Sequence, residues 1–232
     1  MKISVIVPLY NEENTIIPVL EIVNHQQVPE TTFEVIVIDD GSSDNSVALL
    51  EERPELYTKL IKLARNRGKG GAVKEGLKAA TGDYILFQDA DLEYDPVDYE
   101  RLIHPITEFD ADVVMGSRLT APPYTRVYYF WHKVGNLFIT LLFNILNNTT
   151  FTDVYCCYLV YRRRLVDPSR LRTEGWDQHA EILTKAVRNA KACYEVPIRY
   201  RGRTYAEGKK IRAHHVLPII YTMFRERGFR SG

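Results

Sequence analysis

Short β-branched segments alternate with amphipathic segments over the first half of the chain, and this alternation restricts the fold more than any other feature. A β-branched segment of about four to eight residues is typical of a strand, whereas a longer amphipathic segment is typical of a helix. Repeated strand–helix units predict an α/β fold with a mostly parallel central sheet and helices on both faces. The strand segments are ISVIVPL, FEVIVIDD, KLIKLA, YILFQD and DVVMGS, and the segments between them cover residues 12–25, 43–52, 71–80 and 96–109.

The composition and the hydrophobic pattern of the chain change near Thr120. The segment TAPPYTRVYYFWHKVGN is aromatic and basic, and the apolar segment after it predicts a helix that ends near Leu146. The strands CCYLVY and CYEVPIRY are predicted on either side of a helix over residues 176–189. The basic segment RYRGRTYAEGKKIR follows, and its glycines suit a mobile lid, with a solvated loop as the alternative. We expect a single domain over residues 1–232, because no low-complexity linker divides the chain.

Composition excludes several classes of protein. The 232 residues are 45% hydrophobic and 26% charged, which predicts a globular protein with a sizeable core. The formal net charge is zero, so no overall positive charge favours nucleic acid. Three cysteines without a CxxC pair indicate a reducing compartment. The N-terminus does not resemble a signal peptide, and the apolar segment LFITLLFNIL is about half the ~20 residues that span a bilayer. We therefore expect a cytoplasmic protein without a membrane span.

Four acidic residues stand at intervals of two from the last residue of the strand YILFQD onward. In an extended chain, alternate residues face the same side, so Asp89, Asp91 and Glu93 can converge. Converging carboxylates repel one another, and a hard divalent cation such as Mg²⁺ or Mn²⁺ removes the repulsion. The alternative is a solvated acidic turn. Asp95, which precedes Pro96, is better explained as the cap of the next helix.

A glycine-rich turn, RNRGKGGA, follows the third predicted strand. Its backbone N–H groups, the helix that begins there and the charge of Lys69 suit a phosphate. The spacing is neither that of a P-loop nor G-x-G-x-x-G, and glycines at such turns often have a purely structural purpose. Ligands bind beyond the carboxyl ends of the strands in open parallel sheets. A cation site and an anion site at neighbouring strand ends together predict a metal-bound diphosphate.

The ordered motifs VIVPLYNEE, VIDDGSSDNS, RNRGKGGA, GDYILFQDADLE and VVMGSR resemble those of glycosyltransferase family 2, which has the GT-A fold. Within it, the likeness is greatest to the polyprenyl-phosphate glycosyltransferases, such as the dolichol-phosphate mannosyltransferases. The resemblance covers residues 1–118 and continues more loosely beyond them. It implies a nucleotide-sugar-binding half over residues 1–118 and an acceptor-side half over residues 119–232.

The resemblance also implies roles for individual residues. Asp91 and Arg118 are the expected catalytic residues. Arg118 and Arg126 are expected to hold the acceptor phosphate, because arginine forks suit phosphate. The expected metal ligands are Asp89, Asp91 and Glu93. The expected donor-binding residues are Pro8, Tyr10, Glu12, Asp39, Asp40, Lys69, Asp89, Arg203 and Lys209.

The implied reaction is metal-dependent and inverting: one sugar, such as mannose or glucose, moves from a GDP- or UDP-sugar to a polyprenyl or dolichyl phosphate. A phosphomonoester, with a second pKa of about 6, is already charged at neutral pH and needs positioning more than deprotonation. The alternative acceptor is a sugar hydroxyl of a cell-surface glycan, which would need a base such as Asp153, Asp177 or Glu181. A nucleotidyltransferase and an inactive nucleotide-binding module fit the motifs less well.

Two segments fit a lipid acceptor. TRVYYFWHKVGNLFITLLF and HHVLPIIYTMFRERGFR combine aromatic, basic and apolar residues, as interfacial helices do. Each could also be an ordinary amphipathic helix packed on the sheet. The expected partners are a nucleotide-sugar donor, a polyprenyl-phosphate acceptor and a membrane surface, reached peripherally or through a membrane-protein partner. The expected location is the cytoplasmic face of a membrane, and no nucleic acid is expected.

Overall fold

A seven-stranded sheet forms the centre of the computed structural model, which describes residues 1–120, 130–203 and 215–228. The strand order is β3-β2-β1-β4-β6-β5-β7, and β6 alone runs antiparallel to its neighbours β4 and β5. The prediction of an α/β fold with a mostly parallel sheet is confirmed. The strands are β1 (Lys2–Leu9), β2 (Thr32–Asp39), β3 (Lys59–Lys62), β4 (Tyr84–Phe87), β5 (Val113–Ser117), β6 (Leu159–Arg162) and β7 (Cys193–Pro197).

Seven α-helices are described, and each predicted helical segment overlaps one of them. The first begins later than predicted, at Ile16, because Asn11–Glu12–Glu13 form a turn whose backbone N–H groups bond to Ser42, Ser46 and Asp44. The helices are α1 (Ile16–Asn24), α2 (Ser46–Glu51), α3 (Lys69–Ala79), α4 (Tyr99–Phe109), α5 (Phe130–Asn147), α6 (Gln178–Asn189) and α7 (Val216–Gly228).

The central strands are buried on both faces. All residues of β4 and β5 are buried, as are six of the eight residues of β1. Such continuous apolar strands are expected where helices cover both faces of a parallel sheet. β6 comes from the second half of the chain and lies between β4 and β5 from the first half, so both halves share one sheet. The functional division near residue 118 stays a prediction.

Glu34 anchors the amino-terminal edge of the sheet, on the side away from the predicted site. Its carboxylate accepts hydrogen bonds from Ser4 Oγ at 2.5 Å, Thr81 N at 2.9 Å and Lys2 Nζ at 3.0 Å. Burial would raise the pKa of Glu34, but these hydrogen bonds outweigh it and lower the pKa to about 2. The network therefore stabilises the fold only while Glu34 is ionised.

Candidate functional site

The predicted site residues lie at the carboxyl edge of the sheet. β1, β2 and β4 are mutually parallel neighbours in the order β2-β1-β4, so the residues that follow them emerge side by side. Glu12 follows β1, Asp39 ends β2, and Asp89 follows β4. β5, which Arg118 follows, is separated from β4 by β6. The topology therefore places the donor-side carboxylates in one group and Arg118 beside it.

Lys69 and Asp89 form an ion pair at this edge. Lys69 Nζ lies 2.5 Å from Asp89 Oδ1, and the ammonium also lies 5.2 Å from the centre of the Trp176 ring. Burial would lower the pKa of Lys69, but Asp89 outweighs that effect and raises it. Burial would likewise raise the pKa of Asp89, and Lys69 lowers it instead. Both groups are therefore charged at neutral pH.

The glycines beside Lys69 are required by packing. A Cβ on Gly70 would lie 2.7 Å from the backbone carbon of Glu174, and a Cβ on Gly68 would lie 2.6 Å from the Glu174 oxygen. Gly68 also has a φ of +83°, which other residues rarely adopt. Gly71 N donates to Glu174 O at 3.2 Å, so the turn is held against the segment that leads into α6. Close packing against Glu174 therefore explains these glycines, and the same packing positions Lys69 at the site.

Arg203 brings together three of the predicted carboxylates. Its guanidinium donates from Nη1 and Nη2 to the two oxygens of Glu12, both at 3.1 Å, and from Nη2 to Asp91 Oδ2 at 2.5 Å. Its backbone N donates to Glu93 Oε1 at 2.6 Å, and Tyr200 donates to Glu93 Oε2 at 2.9 Å. Asp91 is buried, so a solvated acidic turn does not describe it.

Burial and neighbouring charges both act on the carboxylate of Asp91. Burial contributes most to the shift, and the neighbouring charges of Asp89 and Glu93 add to it. Arg203 opposes them, yet the pKa of Asp91 is raised to about 7. A cation at this place would stabilise the ionised form of Asp91.

The donor set fits Mg²⁺ or Mn²⁺, since both prefer carboxylate oxygens. The guanidinium of Arg203 supplies the positive charge between Glu12 and Asp91. Within residues 1–120, 130–203 and 215–228, no three His, Cys, Asp or Glu side chains are grouped as a metal site. Asp89, Asp91 and Glu93 thus have the right chemistry, although their oxygens are directed to Lys69, Arg203 and Tyr200.

The remaining predicted donor residues surround the ends of β1 and β2. Pro8 lies in β1, and the side chain of Tyr10 is exposed just beyond that strand. Asp39 accepts from the backbone N of Gly41 at 3.2 Å and of Ser42 at 3.1 Å. Asp40 accepts from Arg67 N at 2.7 Å, and burial raises its pKa. Both aspartates therefore shape the turns after β2 and β3.

Arg118 is bound to a buried carboxylate. Its Nε and Nη2 donate to the two oxygens of Asp153 at 2.6 Å and 2.8 Å, and its backbone N donates to Asp153 Oδ2 at 3.1 Å. Nη1 donates to Tyr94 Oη at 3.3 Å, and the guanidinium lies 5.0 Å from the centre of the Tyr200 ring. Asn136 of α5 donates to Asp153 Oδ1 at 2.8 Å. The pair links the end of β5 to helix α5.

The three carboxylates considered as bases for a hydroxyl acceptor are all engaged. Asp153 is paired with Arg118, and Asp177 accepts from Thr222 at 2.9 Å. Glu181 is fully buried. Its carboxylate accepts hydrogen bonds from Arg172 N at 3.0 Å, from Thr173 N at 2.9 Å and from Thr173 Oγ1 at 2.7 Å. Glu181 therefore fixes the segment before α6.

Asp95 behaves as the sequence predicts. Its carboxylate accepts from Val97 N at 3.1 Å and begins the 3₁₀ turn Pro96–Asp98, which leads into α4. The assignment of Asp95 to a cap is confirmed. Two predicted site residues, Arg126 and Lys209, lie outside the described residues.

Sequence reasoning missed two tyrosines that connect the carboxylates to Arg118. Tyr94 is buried, and its ring lies 5.1 Å from that of Tyr200. Tyr94 and Tyr200 also pair through an isolated β-bridge. The available signals were the position of Tyr94 inside the acidic segment and that of Tyr200 at the start of the basic one. Neither signal identifies the partner, because the two residues are distant in sequence.

Comparisons with known proteins identify relatives of this arrangement. The model of "Glycosyl transferase family 2" matches residues 4–168. The undecaprenyl-phosphate 4-deoxy-4-formamido-L-arabinose transferase of Proteus mirabilis is 30% identical over 229 residues, which cover 96% of this chain and 66% of that protein. The dolichyl-phosphate β-glucosyltransferase of Dictyostelium discoideum is 31% identical, with coverage of 90% and 68%. This chain thus spans about two thirds of the length of these relatives.

Solved structures support the fold. Glucosyl-3-phosphoglycerate synthase of Mycobacterium tuberculosis, solved with Mn²⁺, uridine diphosphate and phosphoglyceric acid, has a TM-score of 0.70. It is 20% identical, and the match covers 100% of this chain and 80% of that one. S. aureus TarS with UDP-GlcNAc has a TM-score of 0.64 at 22% identity, with coverage of 99% and 68%.

Proposed function

Because this chain belongs to glycosyl transferase family 2, we propose that it carries the catalytic site of a metal-dependent, inverting glycosyltransferase. It moves one sugar from a nucleotide-sugar to a polyprenyl phosphate. The names of the two relatives each contain a polyprenyl phosphate, which favours that class of acceptor over a sugar hydroxyl. The sugar and the base of the nucleotide are left open, because they depend on side-chain placements that motifs do not encode.

The observation that carries the proposal is the meeting of opposite charges at one edge of the sheet. Lys69 lies beside Asp89, while Glu12 and Asp91 lie around Arg203. A nucleoside diphosphate with its divalent cation presents both signs of charge, so it can bind the cations and the carboxylates together. Lys69 and Arg203 are assigned to the diphosphate, and Lys209 is retained as a third basic group. Pro8, Tyr10, Glu12, Asp39, Asp40 and Asp89 are assigned to the rest of the donor.

Asp91 and Glu93, with Asp89, are assigned to Mg²⁺ or Mn²⁺. The bound ion would neutralise the charge that develops on the leaving nucleoside diphosphate. A nearby cation would favour the ionised form of Asp91, whose pKa is raised to about 7. The carboxylates hold the ion in place, and Lys69 supplies positive charge from the opposite side.

Arg118 is assigned to the acceptor phosphate, together with Arg126. Its contact with Tyr94, at 3.3 Å, is the longest of its side-chain hydrogen bonds, so this Nη1 is the donor that is released most easily to a phosphate. Asp153 would keep the guanidinium oriented during the exchange. A phosphomonoester needs no base, which agrees with the engagement of Asp153, Asp177 and Glu181 in hydrogen bonds.

Two neighbouring helices expose apolar side chains, which supports a lipid acceptor. Helix α5 packs against α7, and each buries one side while it exposes a stripe at intervals of three or four residues. Trp131 is 76% exposed and Leu217 is 74% exposed. We define the apolar helix surface as Trp131, Phe138, Leu141 and Ile145 of α5 with Leu217, Tyr221 and Phe224 of α7.

We assign the apolar helix surface to the cytoplasmic face of a membrane. Aromatic and aliphatic side chains on helices favour the boundary between headgroups and acyl chains. Among the residues that the structure describes, no helix is both long and apolar enough to cross a bilayer. Asn136, on the same helix as Trp131 and Leu141, bonds to Asp153 and so connects this surface to Arg118.

The transfer reaction tests the proposal directly. The protein is incubated with Mn²⁺, a panel of UDP- and GDP-sugars, and either a short polyprenyl phosphate or a free glycan. We expect a glycolipid from one donor and no glycosylated glycan. Asp91→Asn is expected to reduce turnover by at least about a hundredfold, since it removes charge stabilisation from the leaving group. Unchanged turnover in that variant contradicts the metal assignment, and absence of glycolipid with every donor contradicts the acceptor.

Vesicle flotation tests the membrane surface. Vesicles of phosphatidylcholine and phosphatidylglycerol are expected to carry the protein, whereas a variant with Trp131→Ser and Leu141→Ser stays in solution. Phe109→Ser is the control, because Phe109 is exposed but lies on α4 and is not part of the apolar helix surface. Failure of the unsubstituted protein to float contradicts direct lipid contact and favours recruitment by a membrane-protein partner.

A further inference from the structure

Arg203 neutralises two carboxylates that the proposed function assigns to the metal, Asp91 and Glu93, and a third, Glu12, that it assigns to the donor. Glu12, Asp91 and Glu93 all lie within 3.5 Å of its guanidinium, at 3.1, 2.5 and 3.5 Å. Lys69 is directed instead to Asp89. Each side chain of this group is mostly buried, so water screens their mutual repulsion poorly. The group therefore requires a cation in order to stay together.

The oxygens of Asp91 and Glu93 are already occupied. Asp91 Oδ2 accepts from Arg203 Nη2 and Asp91 Oδ1 accepts from Glu93 N at 3.0 Å. Glu93 Oε1 accepts from Arg203 N, and Glu93 Oε2 accepts from Tyr200. A divalent cation binds several oxygens of this kind at about 2.0–2.6 Å. An ion on Asp91 Oδ2 would lie close to the Arg203 guanidinium, whose Nη2 is 2.5 Å from the same oxygen, and the two positive charges would repel one another in this mostly buried group.

We infer that Arg203 is an internal competitor of the divalent cation: it holds Glu12, Asp91 and Glu93 in place until the ion displaces it. The inference rests on the proposed function, because it takes Asp91 and Glu93 as metal ligands. Displacement frees a guanidinium next to the ion, where the donor diphosphate is assigned. Arg203 thus positions the metal ligands in the empty protein and becomes available to phosphate after the exchange.

Mn²⁺ binding without donor or acceptor tests the exchange, with free Mn²⁺ measured by electron paramagnetic resonance. Arg203→Gln is expected to bind Mn²⁺ at least about fivefold more tightly than the unsubstituted protein, within the usual range of coupling between sites. Arg203→Lys, which keeps the charge but loses the fork, is expected to lie between the two. Arg201→Gln is the matched control with the same change of net charge, since the Arg201 side chain is exposed and its backbone N, which bonds to Glu93 O, is kept.

A second measurement separates competition from loss of structure. Without metal, Arg203→Gln is expected to lower the melting temperature, because three carboxylates lose their cation, and Mn²⁺ is expected to restore it. Equal or weaker Mn²⁺ binding by Arg203→Gln overturns the inference, as does an equal gain in Arg201→Gln. If none of the proteins binds Mn²⁺, the inference is also wrong, while glycolipid formation decides the proposed function separately.

Discussion

The Arg118–Asp153 pair provides the sharpest test of the described site, because the structure predicts both its size and its non-additivity. Asp153 is fully buried and the Arg118 side chain is 19% exposed. Removal of one charge leaves the other unpaired in a poorly solvated place, which typically costs about 3–5 kcal/mol. Arg118→Met and Asp153→Asn keep the approximate volumes, so each change removes charge with little loss of packing. Each single variant is therefore expected to lose about 3–5 kcal/mol.

The double variant is expected to lose less than the sum of the single variants. With both charges absent, no buried ion is unpaired, and the coupling energy should reach about 2 kcal/mol or more. Urea unfolding followed by circular dichroism measures the three free energies. In a chain of this size about 1 kcal/mol corresponds to roughly 2–4 °C in melting temperature, so each single variant should melt about 10 °C lower. Single losses below about 1 kcal/mol, or strictly additive losses, would refute the argument from burial.

Two further predictions concern the framework. Glu34→Gln is expected to lower the free energy of unfolding by up to about 3 kcal/mol at neutral pH, because the pKa of Glu34 falls from 4.5 to about 2 on folding. This contribution is complete above pH 4.5 and is lost as the pH falls through about 2. The stability of the variant should therefore lack this loss in an acid titration. Gly70→Ala is expected to lower the free energy of unfolding by about 1–3 kcal/mol, because the new Cβ would collide with the Glu174 backbone. Gly135→Ala is expected to raise it by up to about 1 kcal/mol, because no atom lies within 4 Å of the new Cβ and alanine favours the helix α5. Thermal unfolding measures the two glycine variants, and equal effects of Gly70→Ala and Gly135→Ala would contradict the packing argument.

Local patterns were sufficient for most of the elements. The apolar segments that became β1, β2, β4 and β5 are recognisable because strands buried on both faces need continuous apolar residues. The antiparallel direction of β6 was not predicted, because the segment CCYLVY shows a strand but carries no information about its neighbours. Strand direction depends on where the preceding helix α5 returns the chain to the sheet.

Glycines illustrate how one pattern has two explanations. The sequence placed Gly68 and Gly70 beside a phosphate, whereas the structure shows the backbone of Glu174 against them. The two explanations are compatible, because the same close approach brings Lys69 to Asp89. Glu174 is more than a hundred positions away in sequence, and no pattern within the turn identifies it.

The residues at the carboxyl edge of the sheet could be predicted from the sequence, because the ends of parallel strands meet at one edge. The sequence therefore identified Lys69, Asp89 and Asp91 as neighbours before any contact was known. The pairing of cations with carboxylates could not be predicted, because it depends on the folded chain: Arg203 bonds to Glu12 across 191 positions of sequence, and Arg118 bonds to Asp153. Charge pairing depends on distances of a few ångströms between segments that are remote along the chain, and those distances exist only after the sheet has brought the segments together.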